Sequence, residues 1–334
     1  MNLAPLARVV LSPLSVWYAG IVKLRAWLYE RRILRSKRLQ TPVISVGNLT
    51  LGGTGKTPMV IWLAERFLAQ GKRVAILTRG YKGSDGTSDE IELMKSRLAN
   101  RVQFGVGPDR YAQGLRLQQA GVDIFLLDDG FQLLQLSRDV NILLLDSSRR
   151  AENDRLLPAG RLREPLSAMS RADLLVFTRT ETNPGTDTAI GKLQNSAVFA
   201  AQTRLLGFRK FACASPQLLS TSELGPGPFY AFCGIGNPGA FVADLEHWGL
   251  SIAGKQAFAD HHRYSDSEAA ELLEAAHHAD ATALVTTEKD AHNLSDIDFQ
   301  DFPVYIAIID LVVLEENSFL AAILQQLASR QRSA

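Results

Sequence analysis

Two kinds of apolar pattern alternate along the first half of the chain. Short uninterrupted runs, at Val43 to Val46, Arg73 to Thr78, Val122 to Asp128, Val140 to Asp146 and Ala172 to Thr178, read as buried strands, with a shorter one at Arg101 to Phe104. Between them apolar residues recur at helical spacing. Val60, Leu63, Ala64, Phe67 and Leu68 define one helix that stops at Gly71; Ser88 to Leu98 and Pro108 to Ala120 define two more, the latter closed by Gly121. Strands alternating with helices predict a parallel sheet whose functional residues gather at the strand carboxyl ends. From Thr203 to Pro228 the pattern thins into Gly, Ser, Pro and Thr, as in a hinge or linker. A second α/β unit follows: strands at Phe229 to Cys233, Ala283 to Thr287 and Val304 to Ile309, helices at Gly239 to Trp248 and Ser267 to His278, and a C-terminal amphipathic helix. The expected division is an arm over residues 1–40, a first domain over 41–205 and a smaller α/β domain over 206–334.

The first strand runs directly into Thr50-Leu-Gly-Gly-Thr-Gly-Lys-Thr57 and then into a helix. Gly52, Gly53 and Gly55 let backbone amides turn inward, and amides at a helix N-terminus form an anion site. This strand–glycine loop–helix context is that of a Walker A phosphate loop spanning Thr50, Leu51, Gly52, Gly53, Thr54, Gly55, Lys56 and Thr57. Lys56 would reach the β- and γ-phosphates of ATP and Thr57 would offer its hydroxyl to Mg²⁺. The strict motif asks for Gly at the position of Thr50. A second signal is Val122-Asp-Ile-Phe-Leu-Leu-Asp-Asp-Gly-Phe-Gln132, an apolar strand ending in paired acids, the Walker B form. Asp128 and Asp129 are the metal candidates and are preferred over Asp146, which ends a similar strand without a paired acid or a glycine turn. Gly234-Ile-Gly-Asn-Pro238 follows a strand but lacks the third glycine of a dinucleotide fingerprint, which argues against NAD.

At 334 residues and 46% hydrophobic composition the chain can bury a sizeable core. Cys213 and Cys233 have no metal or disulfide spacing, so both are expected to be buried small hydrophobes in a reducing compartment. The net charge of +1 hides an asymmetry: residues 1–40 hold Arg8, Lys23, Arg25, Arg31, Arg32, Arg35, Lys37 and Arg38 against Glu30 alone, interleaved with Val16, Trp17, Tyr18, Ile21, Trp27 and Tyr29. Only fourteen uncharged residues separate Arg8 from Lys23, with Pro13 among them, against the roughly 20 that a membrane span needs. Two readings stay open for this arm: a helix in the membrane interface with aromatic side chains at headgroup level, or a helix packed on the protein's own core. Leu156-Leu-Pro-Ala-Gly-Arg-Leu-Arg-Glu-Pro165 reads as a surface loop whose arginines could hold an anion.

Taken in order, these motifs together with Thr78-Arg-Gly-Tyr81, Asp260-His261 and Thr287-Glu-Lys-Asp290 resemble the tetraacyldisaccharide 4′-kinase family of lipid A biosynthesis, over roughly Pro42 to Asp290. The resemblance implies a P-loop NTPase-like parallel-sheet domain with a second, smaller α/β domain, and Thr at position 50 is compatible with it. It implies transfer of the γ-phosphate of ATP, with Mg²⁺, to the 4′-hydroxyl of a tetraacylated glucosamine disaccharide 1-phosphate. The setting implied is peripheral, on the anionic cytoplasmic face of the inner membrane, with no nucleic acid and no obligate protein partner. By the family pattern Asp89 is the catalytic base, His261 its partner and Lys56 the third catalytic residue. Arg79 and Arg163 are candidate substrate contacts. The residues flanking Asp89 differ from the family's, and Leu133 stands where the family has His. Read without the resemblance, Asp89 is better explained as a helix N-cap and His261 as a surface histidine before a helix.

Asp89 and His261 fall in different domains on this division, so domain closure about the Thr203 to Pro228 region is expected to bring them together. The competing function is a membrane-surface P-loop ATPase switch or partitioning protein. Its usual extra Lys before the glycine pair is absent, Leu51 standing there.

Overall fold

The computed structural model describes residues 5–80, 88–148, 154–181, 196–213, 217–294 and 297–332. Tyr81 and the polar loop after it lie outside the described residues. The chain forms two compact units, each discontinuous in sequence: residues 1–86, 97–202 and 311–334 make the first, and residues 87–96 and 203–310 make the second.

The first unit opens with a long helix α1 (Pro5–Glu30), followed by β1 (Val43–Asn48), α2 (Lys56–Ala69) and β2 (Val74–Thr78). After α3 (Asp89–Leu98), which begins in the second unit, come β3 (Gln103–Val106), α4 (Arg110–Gln119), β4 (Ile124–Asp128), β5 (Val140–Asp146), β6 (Leu174–Thr178) and β7 (Ala197–Lys210). The strand order here is β3-β2-β4-β1-β5-β6-β7, with parallel pairing between these neighbours. β1, β2 and β4 are buried at every position, which is why they read as unbroken apolar runs: a parallel strand covered by helices on both faces has no polar side to show. β1 lies between β4 and β5, and its register sets Val46 opposite Asp128. The glycine loop and the paired acids therefore leave the sheet from adjacent strands at the same end, where parallel α/β sheets carry their sites.

The second unit contains β8 (Phe229–Cys233), α5 (Pro238–His247), β9 (Ile252–Ala257), α6 (Asp266–His278), β10 (Ala283–Thr287), a single turn α7 (Glu288–Ala291) and most of β11 (Val304–Val313). Its strand order is β11-β10-β8-β9, also parallel. The last helix, α8 (Glu316–Arg332), packs with the first unit.

Three expectations change. Thr203 to Lys210 is not linker but the second half of β7, and Phe208 and Leu219 then exchange backbone hydrogen bonds. In its second half, residues 203–210, Leu205, Leu206 and Phe208 are interrupted by Gly207 and flanked by Thr203, Arg204, Arg209 and Lys210, so no unbroken apolar run marks it as a strand. β9 was missed for the same reason: it alternates between half-buried and exposed residues and pairs with β8 alone. Cys213 is exposed; only Cys233 is buried, and burial pushes its thiol up to about 12.

Phe319 of α8 is completely buried against Trp62 of α2 and Phe199 of β7, with ring centroids 5.8 and 5.0 Å away, and Arg66 grips Glu316 at 2.7 Å nearby. Phe319→Ala should therefore cost about 3–5 kcal/mol in denaturant unfolding, the range for emptying a buried aromatic site. A loss under about 1 kcal/mol would mean that α8 is not part of the first unit's core.

Candidate active site

The glycine loop is built as an anion cradle. Gly52 and Gly55 have φ of 108° and 82°, in the region that side chains avoid, and Gly55 caps α2 without any side-chain bond to the helix amides. Those N–H groups are consequently available to a ligand. Thr54 is buried and fixed from two sides, its hydroxyl accepting from Asn48 Nδ2 at 2.8 Å and its carbonyl accepting from the Thr178 hydroxyl at 3.1 Å. Lys56 and Thr57 open α2 directly after this anchor.

The arginine loop is not a free surface loop. Leu51 N–H donates to Arg161 O at 2.8 Å, Arg163 N–H donates to Leu49 O at 2.7 Å, and Thr50 bridges Leu162, so the segment runs antiparallel beside the start of the phosphate loop. Helix α1 covers it: Tyr18 donates to Arg163 O at 2.8 Å and Ser15 to Leu156 O at 3.0 Å. This backbone pairing buries Ala159, Leu162 and Glu164, which turn-rich composition alone does not signal.

Asp128 ends β4 only 3% exposed and accepts from the Thr78 hydroxyl at 3.3 Å. Asp129, in the left-handed region at φ 49°, sits between two cations, with Lys56 Nζ at 3.6 Å and Arg163 at 2.7 Å. Burial works against its charge, but Lys56 and Arg163 outweigh that and hold its carboxyl below the usual range. Gln132 joins the group, donating to Asn48 O at 2.9 Å and accepting from Arg163 at 3.3 Å. The sequence does not single out Asn48, which lies between the predicted first strand and the glycine loop, or Gln132, which closes the paired-acid motif. Arg79 is exposed just beyond β2, and Leu133 packs against the apolar cluster of Leu39, Val43 and Leu136.

A second polar centre lies wholly within the second unit. Asp89 is the first residue of α3, and the capping expected of it is done by Ser88, whose hydroxyl accepts from Ile91 N–H at 3.4 Å. Asp89 instead faces His261 Nδ1, with its two oxygens 2.8 and 3.0 Å away. Both residues belong to one unit, so the contact forms without the domain closure expected from sequence; residues 87–96 pack with the C-terminal half despite lying in the N-terminal half of the chain. His261 follows β9 in the left-handed region, φ 63°, and its N–H donates to Gly234 O at 3.2 Å. A Cβ on Gly234 would come within 2.9 Å of His262 Cβ and 3.0 Å of Ala259 O, so glycine there is what lets the histidine loop approach. Asp290 completes the clamp, accepting from Gly234 N–H at 2.8 Å and Tyr264 O–H at 2.9 Å.

Burial opposes the charge of Asp89, but the His261 hydrogen bond and the Lys289 ammonium more than compensate, leaving its carboxyl below the ordinary value. His261 is pushed up, chiefly by its bond to Asp89. A raised histidine stabilises the fold fully below its unfolded value of about 6.5 and loses that contribution as pH rises through the folded value. The depressed Asp89 contributes throughout the range above its unfolded value of about 4. Asp89→Asn should thus cost more unfolding free energy at pH 5.5 than at pH 9; denaturant titrations showing an equal cost at both would contradict the coupling.

Comparison with known proteins supplies the context for this geometry. The family described as tetraacyldisaccharide-1-P 4′-kinase matches residues 7–328. A tetraacyldisaccharide 4′-kinase of Geobacter metallireducens is 39% identical over 338 residues, covering 95% of this chain and 98% of that protein. That of Aquifex aeolicus is 39% identical over 285 residues, covering 78% and 84%. A crystal structure of LpxK from Aquifex aeolicus in complex with ATP superposes with a TM-score of 0.75 at 32% identity, covering 96% of this chain and 99% of the other.

Proposed function

The chain belongs to the tetraacyldisaccharide-1-phosphate 4′-kinase family, and from that premise we propose how its side chains divide the work. It is a kinase of lipid A biosynthesis that moves the γ-phosphoryl group of ATP to the 4′-hydroxyl of a tetraacylated glucosamine disaccharide 1-phosphate. The observation that carries the catalytic assignment is the hydrogen-bonded Asp89–His261 pair. A nucleotide switch has no use for such a pair, whereas a kinase needs a group to orient and deprotonate its acceptor.

Asp89 takes the 4′-hydroxyl proton as that oxygen bonds to the γ-phosphorus and the bond from phosphorus to the leaving ADP oxygen breaks. A lone Asp, with a reference value near 3.9, is a weak base at pH 7; beside His261 it shares the proton with an imidazole whose proton affinity the same hydrogen bond raises. The loop amides from Thr50 to Thr57 bind the phosphates and Lys56 neutralises charge on the β- and γ-oxygens. The donor chemistry suits Mg²⁺: Asp128 is a buried carboxylate beside the loop strand, Thr57 adds a hydroxyl, and both are hard oxygens. Bound there, Mg²⁺ would supply further charge neutralisation on the β- and γ-phosphates. Asp129 is already engaged by Lys56 and Arg163 and fits a positioning role better. Arg163 and Arg79 are candidate cations for the acceptor's phosphate.

Helix α1 attaches the protein peripherally to an anionic membrane, at the cytoplasmic face of the inner membrane. Ser15 and Tyr18 tie it to the arginine loop while Val10, Val16, Trp17, Ile21 and Trp27 are exposed, Trp17 by 76%. Among the described residues no helix is long and apolar enough to cross a membrane. An apolar face rimmed by arginine and lysine is the chemistry of interfacial binding.

The direct test is transfer of labelled γ-phosphate to a tetraacyl disaccharide 1-phosphate in detergent micelles. Lys56→Ala, Thr57→Ala and Asp128→Asn should each slow turnover by roughly a hundredfold or more with unchanged unfolding midpoints, since they act on phosphate and metal. Near wild-type rates in all three would overturn the assignment. For the membrane, Trp17→Glu combined with Ile21→Glu should abolish sedimentation with anionic vesicles without lowering thermal stability. Undiminished binding by that variant would contradict the interfacial role of α1.

A further inference from the structure

The second unit's polar centre contains a cation that the mechanism above does not use. Lys289 Nζ lies 2.8 Å from Asp260 Oδ1 and 3.6 Å from Asp89 Oδ2, and its side chain is 16% exposed against 4% for Asp89. It sits on α7, one helical turn opened by Thr287, whose hydroxyl accepts from Asp290 N–H at 3.1 Å. The neighbouring Asp290 holds Gly234, whose carbonyl receives the His261 amide. Two consecutive residues of one turn therefore touch both halves of the pair, Asp290 through the backbone of the histidine loop and Lys289 through the carboxylate.

We propose that Lys289 is a positioning residue for phosphoryl transfer: held between Asp260 and Asp89, its ammonium keeps the Asp89 carboxylate turned to His261 and keeps the pair ready to receive the acceptor's proton. The inference rests on the reading of Asp89 as the base.

The charge count around the imidazole explains why. Asp89 Oδ1 accepts from Glu90 N–H at 3.0 Å and faces His261, while Oδ2 lies toward both His261 and Lys289. Asp260 Oδ2 stands 3.9 Å from His261 Nε2. Two carboxylates thus flank one imidazole, and each raises its proton affinity; the Lys289 ammonium is the charge that lowers it. Without Lys289 the imidazole faces two negative charges alone, and the pair retains a proton to higher pH and is less able to accept another. The other charges at hand do not replace it. Glu90 on α3 also faces Lys289, and Glu92 and Glu288 face His292, which burial pushes down. Arg209 on β7 acts on His292. Burial disfavours the Lys289 ammonium, but Asp89 and Asp260 outweigh it and keep it charged.

The test combines a titration that needs no turnover with a rate profile. His261 ring protons are followed by NMR, assigned by their loss in His261→Ala, in the wild type, Lys289→Met and Lys289→Arg. Lys289→Met should raise the His261 midpoint by about one pH unit, a tenfold gain in proton affinity, and Lys289→Arg should restore it. The acid limb of kcat against pH should move up by the same amount, so that Lys289→Met loses about tenfold at pH 6 and much less at pH 9. An unmoved His261 midpoint in Lys289→Met, with its unfolding midpoint intact, would overturn the proposal. So would a moved midpoint with an unmoved acid limb. Failure of the underlying base reading shows separately, as full phosphotransfer by Asp89→Asn.

Discussion

A carboxylate with only 4% of its side chain exposed must be neutralised or protonated, and the way Asp89 is neutralised organises the second unit. One flank is an imidazole from the loop after β9, another is an ammonium from the turn after β10, and a third is the first free amide of α3. Each partner is itself fixed by packing: the histidine loop by Gly234, the turn by the Thr287 cap, and α3 by Ser88. Removing one partner would leave the others around an uncompensated charge. The cluster ties three stretches of sequence, 88–90, 260–262 and 287–290, into one structure, and it is the one proposed above to accept the proton.

The first unit meets a complementary constraint, since phosphate has to find its donors already arranged. Positive-φ glycines turn the amides inward, and the loop is kept from collapsing by Asn48 and Thr178 on Thr54 and by the antiparallel arginine segment on Leu49 and Leu51. The same segment gives Arg163 to Asp129 and gives its backbone to Ser15 and Tyr18 of α1. The helix assigned to the membrane surface is therefore one hydrogen-bonded layer from the phosphate loop. If α1 lies on the membrane as proposed, that arrangement suits a lipid kinase, whose acceptor carries both acyl chains and the sugar hydroxyl that must reach ATP.

The parallel core of the first unit was legible because strands buried on both faces are continuous apolar runs, and the phosphate loop because its glycines, Lys56 and Thr57 sit between such a strand and an amphipathic helix. The second half of β7, residues 203–210, and the whole of β9 were not, since neither carries an unbroken apolar run. Asp89 shows the limit more sharply. Alone it reads as a helix cap, and only the family resemblance marked it as the base; in the structure the cap bond is made by Ser88 and Asp89 faces His261. Nor does local pattern reveal that residues 87–96 join the second unit, or that Lys289 pairs with a carboxylate two hundred residues earlier, because both depend on how the chain returns on itself. Asp260 and Lys289 could have been flagged only as charged members of quoted motifs.

The central claim is that Asp89 and His261 act as one proton-accepting unit, and a double-mutant cycle on phosphoryl transfer tests it most directly. Rates of labelled product formation are measured at saturating ATP for Asp89→Ala, His261→Ala and the double variant, with ATP affinity measured alongside. Groups that work as a unit give a double variant hardly slower than Asp89→Ala alone, with ATP affinity unchanged in all three. Effects that multiply, or an Asp89→Ala enzyme that keeps its full rate, would contradict the account.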